Sequence, residues 1–198
     1  MSVPSPLRYP ALVLIDLQEG FFETPALARE RNRLVANCNW LIAAARATST
    51  PVINVRTVHK KDKSTWTLKM LEDDQGYLFE NTKQVANLEE LDIEGSVEVV
   101  KRRDSAFWNT EMLTILLRHR ISSLILAGVS SETCVSATAT DAFAANLEVV
   151  LACDALAAED ESFEEMTLKF LNAQYRQELR KTKEVVAALF MVGNEILK

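Results

Sequence analysis

The chain has 198 residues, 48% hydrophobic and 25% charged, a composition that suits one globular domain able to bury its own core. Its net charge of −6 and pI of about 5.1 work against binding to nucleic acid or anionic lipid, whose phosphates attract Lys and Arg. Three cysteines, an odd number, make no disulfide framework, no stretch nears a bilayer span, and the first ten residues hold three prolines and no apolar run. The expectation is a soluble cytoplasmic protein, a single domain over residues 1–198, with no membrane and no nucleic-acid partner.

Ala11-Leu-Val-Leu-Ile-Asp16 is a continuous apolar run ending in an acid, the pattern of a strand buried on both faces. From Leu27 to Thr48, apolar residues recur at Leu34, Val35, Cys38, Leu41, Ile42 and Ala45, which is helical spacing. Pro51 to Val55 reads as a second strand. Residues 56 to about 80 are polar, with scattered aromatics and little period. Excursions of that length in compact domains are often functional. Val97 to Val100 is a third strand, followed at once by Lys101, and Thr110 to His119 is helical. Ser123 to Ala127 is a fourth strand running into a turn at Gly128. The small apolar residues from Glu132 to Asn146 predict a helix packed closely on a sheet. Leu147 to Ala152 is a fifth strand. The tail from Ser162 to Leu197 reads as mostly helical, with a short strand near Ala187 to Met191. Strand and helix alternate without repeat or linker, which predicts an α/β fold with a mostly parallel central sheet flanked by helices.

Sheets of this kind bind ligands outside the carboxyl ends of their strands. Asp16 ends the first strand, Lys101 ends the third, and Cys134 lies just past the fourth, so the topology brings all three to one edge. A thiol is a poor nucleophile until ionised. A helix N-terminus and a nearby ammonium, here Lys101, both favour the thiolate. Asp16 can take the thiol proton and return it to a leaving group, and N–H groups of the turn after Gly128 can hold an oxyanion. Taken singly each residue is ordinary: a buried thiol, a turn or capping acid, an edge lysine. Their convergence on one rim gives them meaning.

These residues lie in three ordered motifs: Leu12-Val-Leu-Ile-Asp-Leu-Gln18 with Phe21 and Phe22, Val100-Lys-Arg-Arg-Asp-Ser-Ala-Phe107, and Leu126-Ala-Gly-Val-Ser-Ser-Glu-Thr-Cys-Val135. With Ala137-Thr-Ala-Thr-Asp-Ala142 and Cys153-Asp-Ala155, they resemble the isochorismatase-like cysteine hydrolases from about Pro10 to Ala158. The resemblance implies a Rossmann-like three-layer sandwich and a catalytic triad of Asp16, Lys101 and Cys134. It also implies a cis peptide at Val129–Ser130 and an oxyanion hole from the N–H groups of Ser130 and Cys134. Members that cleave the vinyl ether of isochorismate lack the cysteine, so this chain resembles the amidohydrolase branch. The implied reaction is attack on an amide, ureido or lactam carbonyl, loss of the amine, and hydrolysis of a thioester. Nicotinamidases carry an Asp-x-His pair and a further His for a divalent metal. Here only His59 follows the second strand and His119 falls in a helix, so no metal and no other cofactor are expected.

The substrate-binding candidates are Phe21, His59, Trp66 and Phe107, with Phe22 and Trp108 as further rim aromatics. Asp104 stands where many relatives have an aromatic residue. Cys38 and Cys153 read as packing residues. The partners expected are a small-molecule substrate and, since relatives are commonly dimers or tetramers, further copies of the chain. Two other readings compete. One uses Asp16 as a general acid on an ether or ester. The other is a catalytically retired interaction module, against which the intact triad argues.

Overall fold

Strand runs that are apolar at every position need cover on both faces, and the computed structural model, which describes residues 7–196 and side chains to residue 191, provides it. Strands β1 (Pro10–Ile15), β2 (Val52–Thr57), β3 (Val97–Lys101), β4 (Ser123–Val129), β5 (Glu148–Ala157) and β6 (Glu178–Arg180) form one sheet. Its order is β3-β2-β1-β4-β5-β6, with all neighbours parallel. The helices are α1 (Pro25–Ala47), α2 (Leu68–Glu72), α3 (Met112–Arg118), α4 (Ser136–Ala144), α5 (Glu161–Tyr175) and α6 (Thr182–Ile196). Leu12 and Leu14 of β1 pack on one face with α1 and α6, while Ala11, Val13 and Ile15 pack on the other with α3, α4 and α5. The alternation along a strand thus divides one apolar run between two cores and builds a three-layer α/β sandwich. Among the described residues no helix is long and apolar enough to cross a membrane.

The chain moves outward from β1 to β2 and β3, then returns to the other side of β1 for β4. That reversal opens a crevice at the carboxyl ends of β1 and β4. The two strands meet there at unusually short range. Gly128 pairs with Ile15, has φ +123°, and a Cβ on it would lie 2.0 Å from the Ile15 carbonyl oxygen. Both the backbone angle and the contact require glycine.

The tail differs from expectation. Ala187 to Met191 lies inside α6, where Val185, Ala188 and Leu189 recur at helical spacing and join the α1-side core. The sixth strand is instead Glu178–Arg180, whose three residues are too few to show a period. β5 runs further than predicted because it bulges: Leu126 pairs with Leu151, but Gly128 pairs with Leu156. Asp154 in this bulge accepts hydrogen bonds from the Thr182 N–H and hydroxyl at 2.6 and 2.7 Å, tying the start of α6 to the sheet. The excursion after β2 is also ordered. A His59–Phe79 bridge closes its first part and a Gln18–Asn87 bridge returns it to the segment after β1.

Candidate active site

Asp16, Thr57 and Lys101 stand at the carboxyl ends of three adjacent strands, and Thr57 and Lys101 are direct partners in the ladder. The Asp16 N–H still donates to Val55 O at 2.9 Å, but its φ of +53° turns the chain out of the strand. Asp is among the few residues that accept that left-handed conformation at small cost. Cys134 arrives from β4. The peptide Val129–Ser130 is cis, as the resemblance implies, and Ser131–Val135 then make one π turn before α4 begins. Ser130 O accepts from the N–H groups of Thr133 and Val135 at 3.2 and 3.1 Å, the second closing the wide turn. The turn is pinned from outside: Ser131 Oγ donates to Glu164 of α5 at 3.2 Å, and Glu132 accepts from the Glu159 N–H at 3.3 Å.

These placements bring four side chains together. Lys101 Nζ lies 2.7 Å from Thr57 Oγ1, 2.8 Å from Asp16 Oδ2 and 3.2 Å from Cys134 Sγ. Thr57 Oγ1 donates onward to Asp16 Oδ1 at 2.9 Å. Asp16 is 0% exposed, Lys101 1% and Cys134 6%, so the group is almost closed to solvent. A lysine this deep persists only because its charge is paired. Burial opposes that charge, but Asp16 and Cys134 outweigh it and hold the ammonium above its ordinary value.

Lys101 favours the thiolate, but burial, followed by the Asp16 carboxylate, pushes Cys134 well above the ordinary thiol range. To act as a nucleophile Cys134 would need a base, and the Asp16 carboxylate shares its Lys101 partner. Cys38 is pushed up to about 12 by burial alone and has no such base, in keeping with packing.

Around the mouth, Phe21 meets Tyr77 edge to face at 5.9 Å. Tyr77 is 43% exposed, yet burial pushes its phenol up to about 12. The excursion that carries Tyr77 stands out in the sequence, but the residue itself does not, because no local period marks it. Asp104 is exposed. His59 is buried two residues beyond Thr57. Its Nδ1 lies 2.9 Å from Thr65 O, which fixes the proton on Nδ1 and leaves Nε2 as the basic nitrogen. Burial, then Arg102, holds its pKa below the usual value against the pull of the Thr65 hydrogen bond. Trp66 is spent on the excursion itself: Nε1 donates to Lys60 O at 2.9 Å, and its ring lies 5.8 Å from that of Phe79 and packs on Gly76. Phe107 packs against the core cluster that contains Cys134, and Phe22 belongs to the opposite core. Trp108 is 66% exposed.

Two surface grooves, one of about 340 Å³ beside Glu132, Ser136 and Phe170 and one of about 630 Å³ beside Arg33, Cys153 and Glu164, touch none of Asp16, Lys101 and Cys134. The chemistry is placed by the charges and hydrogen bonds above, not by the size of a hollow. Among the described residues no three His, Cys, Asp or Glu side chains converge as a metal ion would need.

Residues 10–183 match the model of the isochorismatase domain family. An uncharacterized isochorismatase family protein of Escherichia coli O157:H7, YecD, is 30% identical over 183 residues, covering 90% of this chain and 95% of its own. The crystal structure of a cysteine hydrolase from Pseudomonas syringae pv. phaseolicola 1448A superposes with a TM-score of 0.87 at 23% identity, covering 96% of this chain and 97% of its own. The N-carbamoylsarcosine amidase of Thermoplasma acidophilum superposes with a TM-score of 0.75 at 22% identity, covering 87% and 96%. The fold class agrees with these matches, and the chain belongs to the isochorismatase family of hydrolases.

Proposed function

We propose that the protein is a metal-independent cysteine hydrolase that cleaves a C–N bond of a small amide, ureide or lactam through a thioester on Cys134. The observation that carries this reading is the contact of one buried ammonium, Lys101, with both a carboxylate and a thiol. Amide cleavage needs a nucleophile, a base that becomes an acid, and a fixed positive charge, and these three groups fill those roles. Sγ of Cys134 adds to the carbonyl carbon while its proton passes to Asp16. The oxyanion is taken by the N–H groups of Ser130 and Cys134. Asp16 returns the proton to the leaving nitrogen, the C–N bond breaks, and the amine or ammonia departs. A water molecule then adds to the thioester, giving its proton to Asp16. Collapse releases the acid, and the proton returns to sulfur. Lys101 stays charged throughout and keeps Asp16 and the sulfur in range of each other.

Phe21, Tyr77 and Phe107 would form an aromatic mouth, and His59 would offer Nε2 to a polar group of the substrate. The amidase among the structural neighbours supports the choice of a C–N bond. The reading includes a cytoplasmic setting and a homodimer or homotetramer, for which the exposed Phe163, Met166 and Phe170 on one side of α5 offer a contact face. The test is ammonia or amine release across amides, ureides and lactams, with intact-mass detection of an acyl adduct. Wild type should turn over at least one class, and Cys134→Ala should fold and release nothing. Turnover that survives Cys134→Ala but not Asp16→Asn would instead favour the general-acid mechanism. No release and no adduct from any class would favour a retired scaffold.

A further inference from the structure

We propose that Thr57 is a positioning residue of this site, whose hydroxyl sets where Asp16 and Lys101 stand relative to Cys134. The proposal rests on the reading of Cys134 as the nucleophile.

The need for such a residue follows from the sheet. Asp16 belongs to β1 and Lys101 to β3, with β2 between them. Neighbouring strands are about 4.8 Å apart, so the two backbones are separated by roughly twice that distance. The Lys101 side chain must cross the end of β2 to reach Asp16, and the residue beneath that crossing is Thr57. An ammonium can only donate hydrogen bonds and a carboxylate can only accept them. A hydroxyl between them does both, so the direction is fixed: Nζ donates to Thr57 Oγ1, and Oγ1 donates to Asp16 Oδ1. Valine has the same shape and can do neither.

Thr57 is itself held. β1 leaves the ladder at Asp16, and the Gln18 side chain takes over as the hydrogen-bonding neighbour of β2. Gln18 Oε1 accepts from the Thr57 N–H at 2.8 Å, while Nε2 donates to Thr57 O at 2.9 Å and Val85 O at 3.1 Å. One fully buried amide thus clamps both sides of the Thr57 backbone and ties it to the returning excursion. With the backbone fixed, Lys101 Nζ and Asp16 Oδ1 hold the hydroxyl between them.

The arrangement decides which oxygen of Asp16 is available. Oδ1 is engaged by Thr57. Oδ2 is buried, receives no well-directed hydrogen bond and lies 2.8 Å from the ammonium, so it is the oxygen left to take a proton from Cys134. Removing the hydroxyl would free the carboxylate to turn, strip Lys101 of one of three partners, and leave more of the Asp16 charge facing the sulfur. Each change makes the thiolate harder to form.

The experiment needs no substrate, so its outcome is separate from the search for an amide. The probe is neutral iodoacetamide, with the rate of modification at Cys134 followed by intact mass and peptide mapping from neutral to alkaline pH. Thr57→Val should fold with a melting temperature lowered by several degrees, react about ten- to a hundred-fold more slowly at neutral pH, and show its rate profile moved to higher pH. Thr57→Ser, which restores the hydroxyl, should react like wild type. Should the valine variant fail to fold, Thr57→Ser and Thr57→Ala make the same comparison. A hydroxyl-free variant that reacts like wild type, or a serine variant as slow as the hydroxyl-free one, overturns the proposal. So does a wild-type Cys134 no more reactive than Cys38, since Thr57 would then have no reactivity to set.

Discussion

Replacing Gly128 by alanine should cost about 2–6 kcal/mol of stability and pull Asp16 away from Cys134. The added methyl would sit 2.0 Å from Ile15 O, 2.8 Å from Ile15 N and 2.9 Å from Ile15 C. A carbon rests against an oxygen at roughly 3.3–3.6 Å, so β4 must move from β1 by more than an ångström. These are paired backbones, not a flexible side chain that can swing aside. The φ of +123° adds its own penalty, of order 1–3 kcal/mol for a residue other than glycine. Overpacking adds roughly 1–3 kcal/mol more. A domain has only about 5–15 kcal/mol to lose. Ile15 directly precedes Asp16, so the displacement lands on the proposed base and on the turn that carries the proposed nucleophile. Urea unfolding followed by tryptophan fluorescence should show a lower midpoint with an unchanged slope. Iodoacetamide should find Cys134 with altered reactivity even where the variant is folded. A loss below about 1 kcal/mol with native thiol reactivity would refute the close approach of the two strands.

Lys101→Met keeps most of the apolar stem but leaves Asp16 buried beside no cation, and should cost about 3–5 kcal/mol together with turnover. Urea midpoints and the amide assay check both, and a variant as stable as wild type would mean the pair is not buried as described. His59 gives a pH signature. Its folded pKa lies below the unfolded value of about 6.5, so the unfolded chain binds the proton more readily. Stability should therefore be full above that pH and decline as pH falls from the unfolded value through the folded one. The decline should be smaller in His59→Asn, and identical pH dependence of the melting temperatures would remove His59 as its source. Tyr77→Ala should raise KM several-fold with little change in melting temperature, while Tyr77→Phe separates ring from hydroxyl. An unaltered KM in the alanine variant would take Tyr77 out of the mouth.

Much of this was legible in one dimension. Strands apolar at every position, such as Pro10–Ile15, announce a sheet covered on both faces, and the reactive side chains at their ends announce which edge matters. The cysteine motif resembled a family, and the family match agreed. The short strand Glu178–Arg180 was not legible, because a three-residue edge segment has no period to read. Tyr77 and Thr57 were hidden for a different reason. Neither sits in a motif, and each matters only for what another strand or loop brings beside it.

The sequence by itself determined the alternation of strands and helices, the triad candidates and the family. Tertiary structure decided how those candidates are charged and linked. A lysine and a helix N-terminus favour the thiolate, but burial and then the Asp16 carboxylate push Cys134 the other way. Asp16 and Lys101 read as neighbours at one rim; in the fold they pair directly, and the hydroxyl at the end of β2 bridges them a second time. The physical reason is common to both. Desolvation and hydrogen-bond direction depend on what surrounds a group in space, and local sequence does not record it.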